Sequence, residues 1–417
     1  MIKFEKFTLD NGLRVLVHED SYSPMACMNI LYDVGARDER EDKTGFAHLF
    51  EHLMFSGSEN IPNYDQPLQR VGGENNAFTS NDITNYYITL PSNNLETAFW
   101  LESDRMKQLA FSQEGLEVQR NVVIEEFKQR YLNQPYGDVW LKLRELAYKV
   151  HPYKWATIGK EIKHIEEAKM EDVKAFFHQF YLPNNAIMAV TGNVTLAEVK
   201  RLAQKWFSDI PSGEKNLRNL PMEPKQTSAR LLDVTADVPV DGVYIAFHTV
   251  DRLHHDYQTI DLITDILSRG SSSRLYRRLV KEQNLFSEVN AYVLGSIDHN
   301  LLVVEGKPLG TVSIETAEQA LWTELHKLCQ EEVPETELTK VKNKTESTLM
   351  FAELSILDKA MNLSFYELLG DADSYNQEIN KYLKITQEDI VRVSKETFTK
   401  ENSSTLKYRA KKKGDDA

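Results

Sequence analysis

The chain contains 417 residues, of which 41% are hydrophobic and 27% are charged, and this composition excludes collagen-like, disordered and low-complexity proteins. Lys and Arg total 49 and Asp and Glu total 63, which gives a net charge of −14. This acidic balance argues against a protein that tracks nucleic-acid phosphates or binds an anionic membrane surface. The length allows two or three domains with substantial cores.

No targeting segment or membrane span is predicted. The N-terminus, Met1 to Phe7, lacks the regions of a signal peptide, and no apolar run approaches the roughly 18 residues that span a bilayer. Cys27 and Cys329 form no motif, and both are expected to be buried apolar residues. We therefore expect a cytoplasmic protein without nucleic-acid or membrane partners.

The first half of the chain combines two-residue and helical periodicities. Strand patterns cover residues 7–9, 13–17, 26–34, 86–90 and 186–191, and Asp10-Asn11-Gly12 predicts a hairpin turn between the first two. Helical patterns cover residues 44–54, 95–109, 116–131 and 172–180. Hairpin strands mixed with packed helices predict an α+β fold.

Residues 210–226 are rich in Pro, Gly and Ser and predict a linker near the middle of the chain. The two halves show related residues at a constant offset: Glu171-Asp172-Val173 recurs as Glu388-Asp389-Ile390, and Asn185 recurs as Asn402. We expect domains at 1–212 and 229–417, joined by a linker at 213–228, and a solvated tail at 411–417. Duplication of one domain is the favoured interpretation, and two unrelated domains are the alternative.

The motif His48-Leu49-Phe50-Glu51-His52 carries the strongest chemical signal in the sequence. On a helix, His48 and His52 are four residues apart and project from one face, so both can bind one Zn²⁺. Glu51 lies near that face and can accept a proton from water at the metal. This H-x-x-E-H order is typical of inverzincins.

A catalytic zinc site needs a third protein ligand. The helical pattern at 117–127 supplies two adjacent candidates, Glu125 and Glu126, on a helix where Val122, Val123 and Phe127 predict a buried stripe. Periodicity alone does not separate the two carboxylates. Either one is also compatible with an ordinary solvated helix surface.

Three blocks of sequence resemble those of pitrilysin/insulinase-type zinc metallopeptidases, which are inverzincins. They run from Val34 to Ser58, from Gly72 to Tyr87 and from Phe180 to Asn193. The length is similar to that of the short two-domain subfamily that includes the mitochondrial processing peptidase β subunit. The resemblance implies two homologous α/β-roll domains that form half of a clamshell. It also implies one Zn²⁺ per chain, in the first domain.

The resemblance also selects the third ligand. In the family an Arg precedes the ligand Glu by six residues, and Arg120 sets that register. The expected metal ligands are therefore His48, His52 and Glu126. The family has another Glu seven residues before the ligand, where this chain has Gln119. Seven residues is nearly two helical turns, so Gln119 shares a face with Glu126 and removes one negative charge near the metal.

The second block indicates where a peptide would bind. Gly72-Gly73 predicts a turn, and the residues that follow predict an edge strand near the metal. In the family, an extended substrate adds to this edge through main-chain hydrogen bonds, and the matching positions are Asn76 and Ala77. Asn76 either orients the scissile amide or is a turn and strand-packing residue.

The second half lacks the residues that this chemistry needs. The helical pattern at 260–267 contains no His, so no second zinc site of this type is expected. In the family, an Arg and a Tyr from a second-half domain assist catalysis, and here those positions hold Val280 and either Phe286 or Ser287. The resemblance therefore implies a homologous partner subunit that carries the Arg/Tyr pair, in a heterodimer. A homodimer is the alternative.

These patterns predict a zinc-dependent endopeptidase with Glu51 as the general base. The resemblance implies that it hydrolyses peptides or unfolded polypeptides. The alternative is a noncatalytic peptide-binding or structural assembly subunit of the same fold, because relatives of this fold serve structurally in respiratory complexes. Gln119 and the missing Arg/Tyr pair favour this alternative. The intact histidine motif argues against it.

Overall fold

The computed structural model describes residues 1–214 and 216–411, so most of the predicted tail lies outside the described residues. The strands are β1 Glu5–Thr8, β2 Arg14–Glu19, β3 Met25–Tyr32, β4 Glu74–Thr79, β5 Thr84–Pro91, β6 Ala186–Gly192, β7 Arg230–Ala236, β8 Gly242–His248, β9 Phe286–Val293, β10 Leu301–Pro308 and β11 Ser403–Ala410. The helices are α1 Phe46–Leu53, α2 Asp65–Arg70, α3 Leu95–Lys107, α4 Gln113–Phe127, α5 Val139–Ala147, α6 Ile162–Glu166, α7 Met170–Phe180, α8 Leu196–Phe207, α9 Tyr257–Ser268, α10 Ile314–Gln330, α11 Glu335–Ala352, α12 Ile356–Leu368, α13 Glu378–Leu383 and α14 Gln387–Thr397.

These elements agree with the main periodicities of the sequence. The predicted strands at 86–90 and 186–191 are β5 and β6, and the predicted helix at 172–180 is α7. The hairpin turn between β1 and β2 places Gly12 at φ +89°, a left-handed conformation that favours glycine. The α+β fold class is confirmed. Among the described helices, none combines the length and apolar character needed to cross a membrane.

The first compact unit is built around a six-stranded sheet. Its strands lie in the order β1-β2-β6-β3-β5-β4, so β4 is an edge strand. β2 and β6 run parallel, and the other neighbours run antiparallel. One sheet face is covered by α12, whose Leu363 and Tyr366 join a buried cluster with Leu16, Leu31 and Ile187. The unit consists of Met1–Phe127, Trp155–Leu220 and Leu349–Gln377.

The second compact unit has a five-stranded sheet in the order β7-β11-β8-β10-β9. β7 and β11 run parallel, and the other neighbours run antiparallel. One sheet face is covered by α5, whose Val139 and Leu143 join a buried cluster with Tyr244, Val303 and Leu406. The unit consists of the segments 128–154, 221–348 and 378–411.

The two units repeat one arrangement of elements, and the repeat has the offset of 217 residues seen in the sequence. β5 begins at Thr84 and β10 at Leu301, and α7 begins at Met170 and α14 at Gln387. The helices α5 and α12 correspond by the same offset, yet each belongs to the compact unit built mainly from the other half of the chain. The exchange of these helices is therefore reciprocal, and the division of the domains by residue number stays a prediction.

The predicted linker, 213–228, contains no helix or strand among its described residues. Polar contacts nevertheless hold it in place within each unit. In the first unit Arg218 pairs with Asp38 at 2.6 Å and with Asp33 at 2.9 Å. In the second unit the buried carboxylate of Glu223 accepts hydrogen bonds from three successive backbone N–H groups, those of residues 149–151. The linker segment is thus ordered by local contacts rather than by secondary structure.

Candidate active site

Helix α1 carries the histidine motif, and two features fix where it begins. Gly45 precedes the helix at φ +86°, and a Cβ atom there would lie 2.6 Å from the carbonyl oxygen of Ile158, so only glycine fits. The buried carboxylate of Glu39 accepts hydrogen bonds from the backbone N–H groups of Gly45 at 2.9 Å and of Ala47 at 2.8 Å. These contacts satisfy helix-terminal donors immediately before the first histidine. Sequence reasoning missed this role of Glu39, although a carboxylate shortly before a helix start is a recognisable signal.

Glu39 should make the stability of the chain depend on pH. Burial raises the pKa of its carboxyl group to about 8, against an ordinary value of 4.5, although hydrogen bonds from Ala47 and Gly45 oppose the shift. Between these two values the folded chain keeps a proton that the unfolded chain has released, so the free energy of unfolding falls as the pH rises. Over this range the wild type should lose roughly 4 kcal/mol relative to Glu39→Gln.

Urea unfolding of both proteins at pH 5, 6.5 and 8, with a chelator present, measures this difference. The chelator removes any contribution from metal binding, and the subtraction removes the contributions of the other titrating groups. Parallel pH dependences of the two proteins would contradict the expectation.

Helices α1 and α4 bring together the three side chains proposed as metal ligands. The Nε2 atom of His48 lies 3.6 Å from Oε2 of Glu126, and the Nε2 atom of His52 lies 3.5 Å from the same oxygen. The two imidazole rings have centroids 4.8 Å apart and are nearly perpendicular. All three side chains are only partly exposed, and their ligand atoms lie within 4.8 Å of one another.

This geometry is compatible with one zinc ion. Ligands bound tetrahedrally at 2.0–2.1 Å from Zn²⁺ lie about 3.3 Å from each other, close to the separations between Glu126 and the two histidines. Two imidazoles and one carboxylate are also a donor set of catalytic zinc sites, which keep a fourth position for water or substrate. The donor atoms therefore fit the metal in both spacing and chemistry.

The structure distinguishes the two carboxylates between which periodicity could not choose. Glu126 lies beside the histidines, whereas Glu125 is exposed. One part of the predicted stripe on α4 is wrong: Val123 and Phe127 are buried, but the side chain of Val122 is 44% exposed. Val122 lies four residues before Glu126, so it shares the open face of α4 that presents the Glu126 carboxylate.

Gln119 and Arg120 lie nearly two turns before Glu126 on the same helix. Gln119 is half-buried, as expected for a residue on the side of α4 that bears the ligand. Arg120 donates hydrogen bonds to the backbone carbonyl of Glu166 at 3.0 Å and to that of Ala168 at 3.2 Å. Arg120, which set the alignment with the family in the sequence analysis, thus connects α4 to the segment at the end of α6.

The carboxylate of Glu51 is held by a neighbouring strand. The hydroxyl group of Thr79, on β4, donates a hydrogen bond of 2.5 Å to Oε2 of Glu51. Burial raises the pKa values of Tyr86 and Tyr181, and the charge of Glu51 adds to the shift of both. Both phenols therefore keep their protons near this carboxylate. Thr79 lies in the second sequence block, but nothing in the sequence alone indicated its contact with Glu51.

The proposed substrate positions lie on an exposed sheet edge. Asn76 and Ala77 belong to β4, which pairs only with β5 among the described strands. Asn76 is exposed, and its side-chain oxygen accepts a hydrogen bond of 2.8 Å from the backbone N–H of Ala77. Because Thr79 of the same strand contacts Glu51, a peptide added along β4 would run close to the proposed general base.

The helix of the second unit that corresponds to α1 carries no histidine. It is α9, Tyr257–Ser268, which contains the stretch 260–267. At its end Arg269 pairs with Asp265 at 3.0 Å, and the Ser268 hydroxyl donates a hydrogen bond to the backbone carbonyl of Ala291 on β9. This helix therefore offers no imidazole for a second zinc site.

The positions where the family has an Arg/Tyr pair also hold other residues in the second half. Phe286 is buried, and the hydroxyl of the exposed Ser287 donates to the backbone carbonyl of Lys307. A second group of potential ligands, His254, His255 and Asp256, lies in a loop. Arg392 occupies both carboxylate oxygens of Asp256, at 2.6 and 3.0 Å. This competition makes the loop a weaker candidate than the site on α1 and α4.

Two family models match successive parts of the chain. Residues 14–161 match the family model described as Insulinase (Peptidase family M16), and residues 168–345 match the model described as Peptidase M16 inactive domain. The second match fits the absence of histidine from α9.

Several relatives cover nearly the whole chain. The zinc protease PqqE of Helicobacter pylori is 31% identical over 97% of this chain and 92% of its own. The probable mitochondrial-processing peptidase subunit beta of Schizosaccharomyces pombe is 24% identical over 94% of this chain and 88% of its own.

Solved structures share the fold. A crystal structure of a protease from Helicobacter pylori superposes with a TM-score of 0.92 at 29% identity, covering 98% of this chain and 100% of that one. A peptidase M16 inactive domain from Pseudomonas fluorescens superposes with a TM-score of 0.88 at 16% identity, covering 99% and 98% of the two chains. The matches of sequence and fold lead to one conclusion: the chain belongs to the insulinase family of peptidases, family M16.

Proposed function

We propose that the protein is a zinc-dependent endopeptidase that hydrolyses peptides or unfolded polypeptides. The observation that carries the proposal is the convergence of His48, His52 and Glu126 at ligand spacing, with Glu51 on the same helix. One zinc ion per chain, held by these three residues, is part of the proposal. Family membership and the relatives named as zinc proteases support it.

In the proposed reaction Glu51 transfers the proton and Thr79 orients the Glu51 carboxylate. When bound, zinc supplies a Lewis acid that lowers the pKa of water to about 7 and polarises a carbonyl group. Glu51 accepts the proton of the water molecule whose oxygen adds to the carbonyl carbon of the scissile bond. Glu51 then returns that proton to the leaving amine as the C–N bond breaks. Thr79 orients the Glu51 carboxylate throughout, through its hydrogen bond of 2.5 Å.

The edge strand β4 provides the binding surface in this proposal. An extended peptide would add to β4 at Asn76 and Ala77 by main-chain hydrogen bonds, beside the Glu51 helix. Gln119 would stand near the metal as a neutral side chain and would leave the three ligands and Glu51 unchanged. The proposal assigns this chemistry to the first domain, 1–212, and none to the second, 229–417.

The proposal includes a homologous partner subunit that contributes an Arg/Tyr pair to the site. Two features support it: Val280, Phe286 and Ser287 stand where such a pair would lie, and several relatives are named as a subunit of a processing peptidase. A tetrahedral oxyanion needs hydrogen-bond donors beyond a metal ion, so the isolated chain is expected to be slow. A homodimer with weakened catalysis is the alternative.

Metal analysis combined with a cleavage assay tests the proposed function. The chain is purified alone and with the homologous subunit from its native source, its zinc content is measured, and a quenched fluorescent peptide library is added. We expect about one zinc per chain and cleavage that a chelator abolishes and added zinc restores. Stoichiometric zinc without cleavage in either preparation would instead favour a noncatalytic peptide-binding or assembly subunit. Full activity of the isolated chain would remove the need for a partner.

A further inference from the structure

The second compact unit contains a cavity of about 170 Å³ over the face of its sheet near the edge strand β9. Aromatic and acidic side chains dominate its walls. The aromatic side chains come from the start of α5 and from β8, and the charged ones from β9 and β10. The aromatic and charged residues that line the cavity are Tyr136, Trp140, Tyr244, Glu288, Glu305 and Lys307.

The pairing of the strands explains why these side chains meet. Lys307 on β10 lies opposite Glu288 on β9, and Glu305 on β10 lies opposite Tyr244 on β8. Residues two apart on one strand point to the same face, so Glu305 and Lys307 stand side by side on the face that α5 covers. Tyr136, just before α5, has φ +62°, an uncommon conformation for a residue other than glycine. Its side chain lines the cavity, and its hydroxyl donates a hydrogen bond of 2.6 Å to the backbone carbonyl of Val240.

The charges in the cavity are not balanced. The ammonium group of Lys307 lies 2.7 Å from Oε1 of Glu288 and 4.7 Å from the centre of the Tyr136 ring. The half-buried carboxylate of Glu305 accepts a hydrogen bond of 3.0 Å from the neutral hydroxyl of Tyr292. Two carboxylates and one ammonium group thus line the cavity among aromatic rings, and the guanidinium group of Arg144 lies 5.4 Å from the centre of the Trp140 ring. Burial raises the pKa of the Glu305 carboxyl, a cost that a bound cation would offset.

We propose that this cavity binds the cationic group of a lysine or arginine side chain in a peptide. Aromatic faces and a partly desolvated carboxylate together favour an ammonium or guanidinium group. The chain's own Lys307 already places an ammonium group in this cavity, where it contacts a carboxylate, that of Glu288, and an aromatic ring, that of Tyr136. β9 is an edge strand of its sheet, so an extended peptide can lie along it and direct a basic side chain inward. That this peptide is a substrate rests on the proposed function.

Binding of two matched probes to the full chain tests this proposal. Nα-acetyl-lysine methylamide and its neutral counterpart Nα-acetyl-norleucine methylamide are titrated into the Glu51→Gln protein with a chelator present. The lysine probe should bind about tenfold more tightly than the norleucine probe. Equal affinities would overturn the proposal. The readout is binding without metal or turnover, so a failure here is distinct from a failure of the proposed peptidase activity.

Two variants locate the binding in the cavity. Glu305→Gln should abolish the preference for lysine, whereas Glu332→Gln, which removes the same charge from an exposed position of the same unit, should keep it. Lys307→Met removes the resident cation and should tighten binding of the lysine probe several-fold. Unchanged affinity in Glu305→Gln, or weaker binding in Lys307→Met, would contradict the proposal. The Lys307 variant also keeps the test decisive if Glu305→Gln does not fold.

Discussion

Glu51→Gln is expected to reduce peptide hydrolysis by at least about 10³-fold while the protein keeps its zinc. The substitution preserves the size of the side chain and an oxygen that can accept the Thr79 hydrogen bond, but it removes the proposed acceptor of the water proton. Because Glu51 is not among the three grouped ligand side chains, metal affinity should change little. The measurements are initial rates with a quenched peptide, made with the homologous subunit present, and zinc content by atomic absorption.

Glu125→Gln is the matched control for this change. It is the same substitution on an exposed residue of α4, next to the proposed ligand, and it should leave both rate and zinc content near the wild-type values. A Glu51→Gln protein that retained substantial turnover would reject Glu51 as the general base. Loss of zinc together with activity would instead assign Glu51 a structural part in metal binding.

Glu126→Gln is expected to weaken zinc binding by orders of magnitude and to abolish hydrolysis. The single oxygen that lies 3.5–3.6 Å from both imidazoles loses its charge, and a neutral amide is a poor ligand for Zn²⁺. In the proposal Glu126 is one of three protein ligands, so the substitution would leave only the two imidazoles to hold the ion. A competition titration with a chromophoric chelator measures the affinity directly.

Thermal unfolding gives a second, independent measure of the same change. In the proposal zinc binds the folded chain and not the unfolded one, so the melting temperature of the wild type should rise as zinc is added. The Glu126→Gln protein should show little of this rise, while the Glu125→Gln protein should behave as the wild type does. Equal effects of the two substitutions would mean that the third ligand lies elsewhere.

The parts of the site that depend on local spacing could be predicted from the sequence. Two histidines four residues apart on an amphipathic helix must share a face, so the pairing of His48 and His52 follows from helix geometry alone. The choice of Glu126 over Glu125 required the resemblance to a family, because adjacent residues differ by only about 100° around a helix. Val122 shows the same limit, since periodicity indicated a buried side chain on what is the open face of α4.

Features that depend on contacts distant in sequence could not be predicted. The hydrogen bond from Thr79 on β4 to Glu51 on α1 joins residues 28 apart in the chain, and nothing in the sequence indicated it. The periodicity of α5 and α12 indicates that each helix has an apolar face, but it carries no information about which sheet that face covers.

The reciprocal placement of α5 and α12 sets the order in which the protein can be completed during synthesis. The ribosome makes all six strands of the first sheet by residue 192, but α12 ends only at residue 368 of 417. Until then the apolar face that includes Leu16, Leu31 and Ile187 has no helix to cover it. The nascent first unit therefore carries an aggregation-prone surface while residues 193–368 are being made. A gene cut at the linker would make that exposure permanent.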